Sequence, residues 1–348
     1  MSEIRIPAAT LEGFTTQVFE AIGLAHDDAA TEAHVLVWAN LRGIDSHGVL
    51  RVPQYMASVK AGGMDPKAQY RIERETPATL LIEGGYAFGP VVTTFAMQQA
   101  IGKARQAGVG WAVIRNTTHQ GAMGYYALMA AAEGMAGLAI VCNPPNMAPT
   151  GARAAGVHNS PIAIAVPGKE HPFLVLDMAT SVAAFGKVNL AVDKGIPIPE
   201  GWALDAEGNP TTDATLARIL LPAGGYKGYG LSLMFECLSS IMAGNALLAP
   251  SLLGGTVRRG TQNSVVAAVD IAAFTDVEAY KADVDNTVRG LKGLPTMPGV
   301  PQVMVPGEPE LAILADREAH GIPLPEGTVR NLQAAAAELG VALPIELQ

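Results

Sequence analysis

Between residues 7 and 60, apolar positions recur at helical spacing. One set predicts a first helix, and a second set, which follows a cap region at Asp27 and Asp28, predicts another. A third helix is expected over 52–60, because Pro53 fits a first helical turn, where its missing N–H costs nothing. The first set comprises Leu11, Phe14, Val18, Phe19 and Ile22, and the second Ala33, Val37 and Leu41.

From about residue 68 the pattern changes to short apolar runs that alternate with helical segments, which is typical of an α/β domain. Residues 197–212 are rich in Pro and Gly and are interpreted as a long loop, either functional or a dimer arm. Strands are predicted at 79–82, 110–115, 136–142, 161–166, 173–176 and 264–271. Helices are predicted at 91–107, 123–133, 182–194, 228–244 and 277–290.

The end of the chain is helical again, with helices predicted at 311–320 and 328–339 on either side of a turn at 321–325. The expected layout is a helical domain made from residues 1–70 and 305–348. This domain packs on a central α/β domain of residues 71–304.

Composition and charge exclude several classes of protein. Apolar residues make up 49% of the chain, which is enough to build a core and excludes disorder, yet the apolar runs are too short to span a bilayer. The net charge of −9 argues against nucleic acid or an anionic membrane as partner, but a small carboxylate needs only one or two Arg residues. Two cysteines and an N-terminus without a secretion signal favour a cytoplasmic protein.

The motifs that would reveal common nucleotide or hydrolase sites are absent. No G-x-G-x-x-G follows a strand, and neither a P-loop nor a G-x-S-x-G elbow occurs. The seven His residues show no local metal-binding spacing, so no metal site is predicted, although one assembled from distant residues stays open.

Residues 42–55 carry the polar side chains that acid–base chemistry on a carboxylate needs. His47 titrates near neutrality and Arg51 is suited to a bidentate hold on a carboxylate. With Tyr55 they would share one face if the segment were helical, and Asp45 or Ser46 could orient the imidazole. The alternative is a capping His47 with Arg51 in a surface ion pair.

Other segments have weaker signals, each with a purely structural alternative. Residues 116–126 hold His119, Gly121 and Gly124 between a strand and a helix, where helix N–H groups are open to an anion. Rigid polar connections follow at 143–149 and 158–161, and a glycine-rich helix start with Lys227 at 224–230 is a candidate phosphate cradle.

Together these segments resemble the malate/L-lactate dehydrogenase family of the non-Rossmann type, which also includes sulfolactate, ureidoglycolate, diketogulonate and cyclic imino acid oxidoreductases. The resemblance covers nearly the whole chain. It implies a central mixed, mostly antiparallel sheet flanked by helices, NAD or NADP binding without a Rossmann motif, a helical domain from the chain ends, and a homodimer. The matching pieces are 43–48 with Arg51, Thr118-His119 with Gly121 and Gly124, Asn159 with Pro161, 177–181, Lys227-Gly228, and 306–308.

The resemblance also assigns residue roles. His47 matches the proton donor, Ser46 and Arg51 its neighbours on the substrate side, and His119 an alternative acid–base group. Tyr55 matches a substrate contact, as does Asn143, which stands where ureidoglycolate-type members carry Lys. The expected cofactor contacts are His119, Asn159, Asp177, Met178, Ala179, Thr180, Ser181, Lys227, Gly228, Gly307 and Glu308. A second departure is His158-Asn159-Ser160-Pro161, which replaces the commoner Gly-Thr-Asn-Pro.

The expected function is hydride transfer between nicotinamide and C2 of a small 2-hydroxy or 2-oxo acid of the malate, lactate or sulfolactate type. The alternatives are reduction of a cyclic imino acid, such as piperideine- or pyrroline-2-carboxylate, and a non-catalytic ligand-binding homologue. The sequence leaves NAD and NADP open, with Arg258-Arg259 as a candidate contact to a 2′-phosphate.

Overall fold

The computed structural model describes residues 4–348. The strands are β1 (Ile4–Ile6), β2 (Arg71–Glu75), β3 (Thr79–Glu83), β4 (Val109–Thr117), β5 (Met135–Cys142), β6 (Pro161–Pro167), β7 (Phe173–Ala179), β8 (Ala203–Leu204), β9 (Pro210–Thr211), β10 (Ile219–Leu220), β11 (Gln262–Asp270) and β12 (Ile322–Leu324). The α-helices are α1 (Ala8–Ala21), α2 (His26–Leu41), α3 (Val52–Lys60), α4 (Gly89–Ala107), α5 (Gly124–Ala132), α6 (Phe185–Lys194), α7 (Tyr226–Glu236), α8 (Leu248–Leu252), α9 (Val277–Lys292), α10 (Glu308–His320) and α11 (Glu326–Leu339).

A seven-stranded sheet lies at the centre, in the order β2-β3-β4-β11-β5-β6-β7. Only β3 and β4 pair in parallel, and the other neighbours in this sheet are antiparallel. The predicted mixed, mostly antiparallel sheet is therefore confirmed. Its strand order differs from the doubly wound parallel sheet of Rossmann folds, which agrees with the missing glycine fingerprint.

The two faces of this sheet are covered by different elements. Helices α4 and α5 pack on one face, where Ala112 and Val266 point into a core that also holds Met97 and Tyr126. On the other face Val113 packs with the end of α7 and the π-helical turn Cys237–Ile241 that follows it. Neighbouring residues of one strand thus enter opposite cores, as the pleat requires.

The two ends of the chain form one helical cluster. Side chains of α1, α2, α3 and α11 share a core, in which Leu11, Phe19, Leu36 and Leu332 are fully buried. Strands β1 and β12 close it as an antiparallel pair with Ile6 opposite Ile322. Phe88, beside the N-terminus of α4, packs into the same core, so the cluster is continuous with the sheet region. The domain boundaries at residues 70 and 305 stay predictions.

Three sequence predictions are corrected. The turn expected at 321–325 contains β12, because Ile322 and Leu324 alternate into the helical core. The loop expected at 197–212 contains β8 and β9, which form a small sheet with β10. The helix expected at 228–244 is α7 followed by the π turn. Most of the missed strands have two or three residues, too few for a periodic signal, and β2 has five residues but only one apolar side chain, Ile72.

No helix in the part of the chain that the structure describes has the length and apolarity needed to cross a bilayer.

Candidate active site

A cavity of about 680 Å³ lies where the helical cluster meets the edge of the central sheet. This volume is within the usual range for small-molecule sites. The predicted site residues that line it are Ser46, His47, Arg51, His119, Asn143, Asn159, Asp177, Ala179 and Gly307.

The turn that carries His47 is fixed by Asn40 of α2. The Asn40 Oδ1 accepts from the Val49 N–H at 2.8 Å, and its Nδ2 donates to Asp45 Oδ1 at 2.7 Å. Gly48 leaves room for this amide, since a Cβ there would lie 2.2 Å from Asn40 Oδ1. Residues 45–51 form two 3₁₀ turns, with α3 beginning only at Val52, so the expected single helical face is not formed.

Arg317 of α10 holds the same turn from the other side. Its Nη1 and Nη2 bond the two carboxylate oxygens of Asp45 at 2.6 and 3.0 Å, and Nη1 also donates to the Asn40 carbonyl. A forked, largely buried guanidinium of this kind gives geometry as well as energy. A segment near the C-terminus therefore positions His47.

The Arg317→Met variant is expected to lose about 1–2 kcal/mol of unfolding free energy, because Asp45 loses its cationic partner while remaining partly buried and keeps only the bond from Asn40. The turn also loses its second support, so kcat falls while the cofactor still binds. Thermal unfolding together with steady-state kinetics checks this, with Arg330→Met of the exposed pair with Glu326 as control. Equal effects of the two variants would contradict the positioning role.

His47 and His119 stack in the cavity, with ring centroids 5.4 Å apart and planes inclined by 23°. Burial and the nearby Arg51 cation lower the pKa of His47 to about 4. Burial, then His47 and Arg51, hold the pKa of His119 well below its usual value. The two imidazoles are thus neutral near pH 7, and like-charge repulsion means that protonation of one opposes protonation of the other.

The contacts of His119 select one neutral tautomer. The Gly121 N–H lies 3.3 Å from Nδ1, and a backbone N–H can only donate, so Nδ1 accepts. The Tyr55 hydroxyl is 2.6 Å from the same nitrogen, and burial raises the pKa of this phenol well above its usual value, which keeps it a donor. The proton of His119 is therefore on Nε2. The ring of His47 contacts the Ser46 hydroxyl at 2.9 Å through Nδ1, and a hydroxyl can serve either tautomer.

Tyr55→Phe removes one of the two donors that hold the His119 tautomer. Since the ring stays buried, we expect the fold to be retained and kcat to fall about tenfold, equivalent to a loss of ~1.4 kcal/mol of transition-state stabilisation. Nitrogen chemical shifts of the imidazole would show Nδ1 and Nε2 sharing the proton. An unchanged tautomer with unchanged kcat would show that the Gly121 N–H is sufficient.

Arg51 has donors left for a ligand. Its Nε donates to the Ser46 carbonyl and its Nη1 to Gln54 Oε1, both at 2.7 Å. These bonds fix the plane of the guanidinium and leave other N–H groups of the fork available, on a residue that lines the cavity. The arrangement suits a carboxylate beside the two imidazoles.

Asparagine side chains form another part of the wall. Asn146 and Asn159 bond reciprocally, with both contacts at 2.8 Å. The Oδ1 of Asn143 is buried and has no hydrogen-bond partner among residues 4–348. Since an orphaned buried acceptor is costly, a donor from a bound ligand would complete this site.

Comparison with known proteins decides the family. The profile described as "Malate/L-lactate dehydrogenase" matches residues 6–333. The chain belongs to the malate/L-lactate dehydrogenase family. The malate dehydrogenase of Pyrococcus horikoshii is 37% identical over 97% of this chain and 96% of its own. The solved sulfolactate dehydrogenase from Methanocaldococcus jannaschii superposes with a TM-score of 0.88, at 36% identity, over 97% of this chain and 98% of its own.

A third relative of known structure has a different name. It is the delta1-piperideine-2-carboxylate reductase from Pseudomonas syringae, with a TM-score of 0.85 and 28% identity over 95% of this chain and 99% of its own. The relatives named dehydrogenases make this chain an oxidoreductase that acts on the CH–OH group of small hydroxy acids, of the malate, sulfolactate or lactate dehydrogenase type. A dehydrogenase of this family implies a nicotinamide cofactor.

Two of the expected cofactor contacts, Asp177 and Gly307, line the cavity. The Gly124 N–H at the start of α5 donates to Asp177 Oδ2 at 2.7 Å. Desolvation by the surrounding protein raises the pKa of Asp177 to about 6, and the nearby Glu310 carboxylate adds to this rise. The side chain is nevertheless exposed to solvent at the cavity. Gly307 is the N-cap residue of α10, with a φ of +89°, and lies beside Val175.

Several expected cofactor residues of this dehydrogenase lie outside the described cavity lining. Lys227 and Met178 are exposed, and Gly228 packs against the Thr180 carbonyl, where a Cβ would lie 2.2 Å away. Glu308 pairs instead with Lys292. Arg258 stacks on Tyr86 and donates to the Gly62 carbonyl. The expected cofactor residues outside the lining are Met178, Thr180, Ser181, Lys227, Gly228 and Glu308. Tyr55, the expected substrate contact, is also outside the lining and contacts His119, which lines the cavity.

Sequence reasoning missed several lining residues. Arg42 lies 4.2 Å above the Trp38 ring and brings a second guanidinium to the cavity. The i,i+4 spacing of these two residues was a readable signal. No such local signal marks Phe185, Gln262 or Glu310, because these lining residues come from segments far apart in sequence.

Proposed function

We propose that this cavity binds a nicotinamide dinucleotide together with a small 2-oxo or 2-hydroxy acid, and that the protein interconverts the two acids by hydride transfer at C2. The observation that carries the proposal is the stacked pair His47 and His119 beside Arg51 in one cavity. A carboxylate anchor, a proton-transfer group and a fixed hydrogen-bond donor are what this reaction asks of a protein.

The polar groups of the wall suit a nicotinamide dinucleotide. An amide-bearing ligand suits the Asn143 Oδ1, which lacks a donor, and Arg42 offers a cation for phosphate in place of the exposed Lys227. When bound, the nicotinamide supplies or accepts the hydride. The residues present therefore fit the group that the family implies.

The protein's own part begins with Arg51. We infer that its free N–H groups bind the substrate carboxylate and orient C2. The bound negative charge offsets the cation that lowers the pKa of His47, so the imidazole takes up a proton more readily in the complex than in the free protein.

The two histidines then have different tasks. His119 donates a hydrogen bond to the substrate oxygen from Nε2–H, in the tautomer fixed by Tyr55 and Gly121. A preorganised neutral donor of this kind stabilises the developing alkoxide. His47, whose tautomer is not fixed, gives the proton in reduction and accepts it in oxidation.

We also propose NAD as the cofactor. Asp177 and Glu310 put two carboxyl groups on the wall, close enough for Glu310 to raise the pKa of Asp177. Carboxylates suit a ribose 2′-hydroxyl and repel a 2′-phosphate. Arg258, one of the two candidate contacts to a 2′-phosphate, stacks on Tyr86 outside the cavity lining.

A substrate panel with both cofactors tests these proposals. Pyruvate, oxaloacetate and sulfopyruvate are compared with piperideine- and pyrroline-2-carboxylate, each with NADH and NADPH. We expect the highest kcat/KM for a 2-oxo acid with NADH, and a gain with NADPH in Asp177→Asn. Preference for a cyclic imine would favour the activity named for the Pseudomonas relative, and nicotinamide binding without turnover would favour a ligand-binding homologue.

We further propose that the protein is a homodimer. Large apolar side chains are exposed along α7 and the turn that follows this helix, among them Tyr226, Met234, Ile241 and Met242. Several large apolar side chains exposed along one helical segment are typical of a subunit interface. Light scattering of the purified protein should give twice 36.1 kDa, and a monomer at micromolar concentration would contradict the proposal.

A further inference from the structure

Behind the cavity wall, three side chains that bind metals in other proteins converge in the interior. Cys142 ends β5, His158 lies in the loop before β6, and Glu236 ends α7. Their exposed fractions are 0%, 0% and 1%, and their ligand atoms all lie within 4.8 Å of one another. We propose that Cys142, His158 and Glu236 form a structural site for a zinc ion.

The distance between two of the ligand atoms, which contact each other as an ion pair, also suits a shared metal ion. His158 Nε2 and Glu236 Oε2 are 3.5 Å apart, and neither atom has a hydrogen-bond partner among the described residues. Two ligand atoms about 2.1 Å from a tetrahedral zinc ion are about 3.4 Å apart. The two orphaned atoms thus have the separation of a ligand pair.

Each ligand is also held by an outer partner that leaves one atom free. Ser232 Oγ lies 3.0 Å from His158 Nδ1, and Ser160 contacts the same nitrogen. Glu236 Oε1 accepts from the N–H groups of Leu247 and Leu248 at 2.7 and 3.0 Å. Metal sites have this arrangement, in which outer hydrogen bonds orient the ligands.

The cysteine has an outer partner too. The Ser239 hydroxyl lies 2.9 Å from Cys142 Sγ and donates to the Phe235 carbonyl at 2.7 Å. A thiolate and a carboxylate with one divalent cation make a neutral group, which lowers the cost of burying both charges. The mixture of sulfur, nitrogen and oxygen ligands selects zinc over calcium or magnesium. Ser240, buried one turn after Glu236 and without a hydrogen-bond partner in the described chain, is a candidate fourth ligand.

The arrangement differs from a catalytic relay. His158 Nδ1 contacts the hydroxyls of Ser160 and Ser232, and the Glu236 carboxylate faces Nε2. The cluster is also closed to substrates. Its consequence is structural, because an ion there would tie together the segments that carry Asn143 and Asn159 of the cavity wall.

Metal analysis of untagged protein, produced with zinc in the medium and purified without chelators, tests the proposal. We expect about one zinc per chain after desalting, and a Tm that falls when the metal is removed and recovers when zinc is added back. Zinc well below one per chain, with a Tm insensitive to added zinc, would show a hydrogen-bonded cluster only and overturn the site.

Cobalt substitution identifies the ligand. The chain has two cysteines, so Cys237→Ser is the matched control for Cys142→Ser. We expect thiolate-to-cobalt absorption in the unsubstituted protein and in Cys237→Ser, and its loss in Cys142→Ser. If Cys142→Ser does not fold, the spectrum of Cys237→Ser still assigns the sulfur. Absorption that is absent in Cys237→Ser, or kept in Cys142→Ser, refutes the site, whatever the dehydrogenase assays show.

Discussion

His47→Ala is expected to lower kcat by about 10²–10⁴-fold, the usual contribution of a positioned acid–base group. In the reduction direction His47 must be protonated, so kcat of the unsubstituted protein falls as the pH rises through the pKa of His47 in the complex. The variant should lack this pH-dependent limb, and added imidazole should restore part of the turnover by entering the space that the side chain leaves. The pH dependence of kcat for both proteins measures the effect.

His119→Ala is the matched variant for this experiment. Loss of a fixed hydrogen-bond donor costs about 10²–10³-fold in kcat, but the limb that belongs to His47 should remain. If the fall of kcat with rising pH were retained in His47→Ala and lost in His119→Ala, the two roles would be reversed. Nearly full turnover in both variants would contradict the proposed site altogether.

Substitution of Arg51 is expected to have the second largest effect. Charge-assisted bonds to a carboxylate are worth about 1.5–3 kcal/mol each, so Arg51→Met should lower kcat/KM for the oxo acid about 100-fold, mainly through KM. Arg51→Lys keeps the charge but lacks the planar fork, and should lose most of the same binding. The dissociation constant for the cofactor, measured by titration, should change little in both variants.

The same pair of variants tests the electrostatic argument. Burial, and then the Arg51 cation, lower the pKa of His47 to about 4, and the cation acts by disfavouring the protonated imidazole. In the oxidation direction the free protein needs neutral His47, so kcat/KM falls as the pH drops through this pKa. Arg51→Met should move that fall to higher pH, whereas Arg51→Lys should leave it in place. A shift of the same size in both variants would show that charge is not the cause.

How far the sequence predicts the fold depends on where the partner of each element lies. Helices α1 and α2 are predicted well because their apolar residues repeat within each helix, as Leu11 and Phe19 do in α1 and Ala33 and Val37 in α2. Strand β12 is missed because its partner is β1, at the other end of the chain, and Pro323 in its middle is typical of a turn. The small sheet of β8 to β10 is missed for a similar reason, since none of its strands exceeds two residues.

For the site, local motifs predict which residues meet but not how. His47, His119 and Arg51 are identified from short segments, and the structure brings them into one cavity. The tautomer of His119 depends on Tyr55 and the Gly121 N–H, whose positions relative to the ring require the folded chain. Arg317 lies in an unremarkable helical segment, so nothing in its neighbourhood connects it with Asp45.

The support of the His47 turn by Arg317 has a consequence for biosynthesis. During translation α2 and the turn leave the ribosome long before α10, so the turn lacks its second support until most of the chain has been made. The pairing of Ile6 with Ile322 delays the closing of the helical core in the same way, and such distant contacts slow folding. A nascent chain that stops before α10 therefore carries the histidine and most of the cavity wall but is expected to lack a defined proton-transfer geometry.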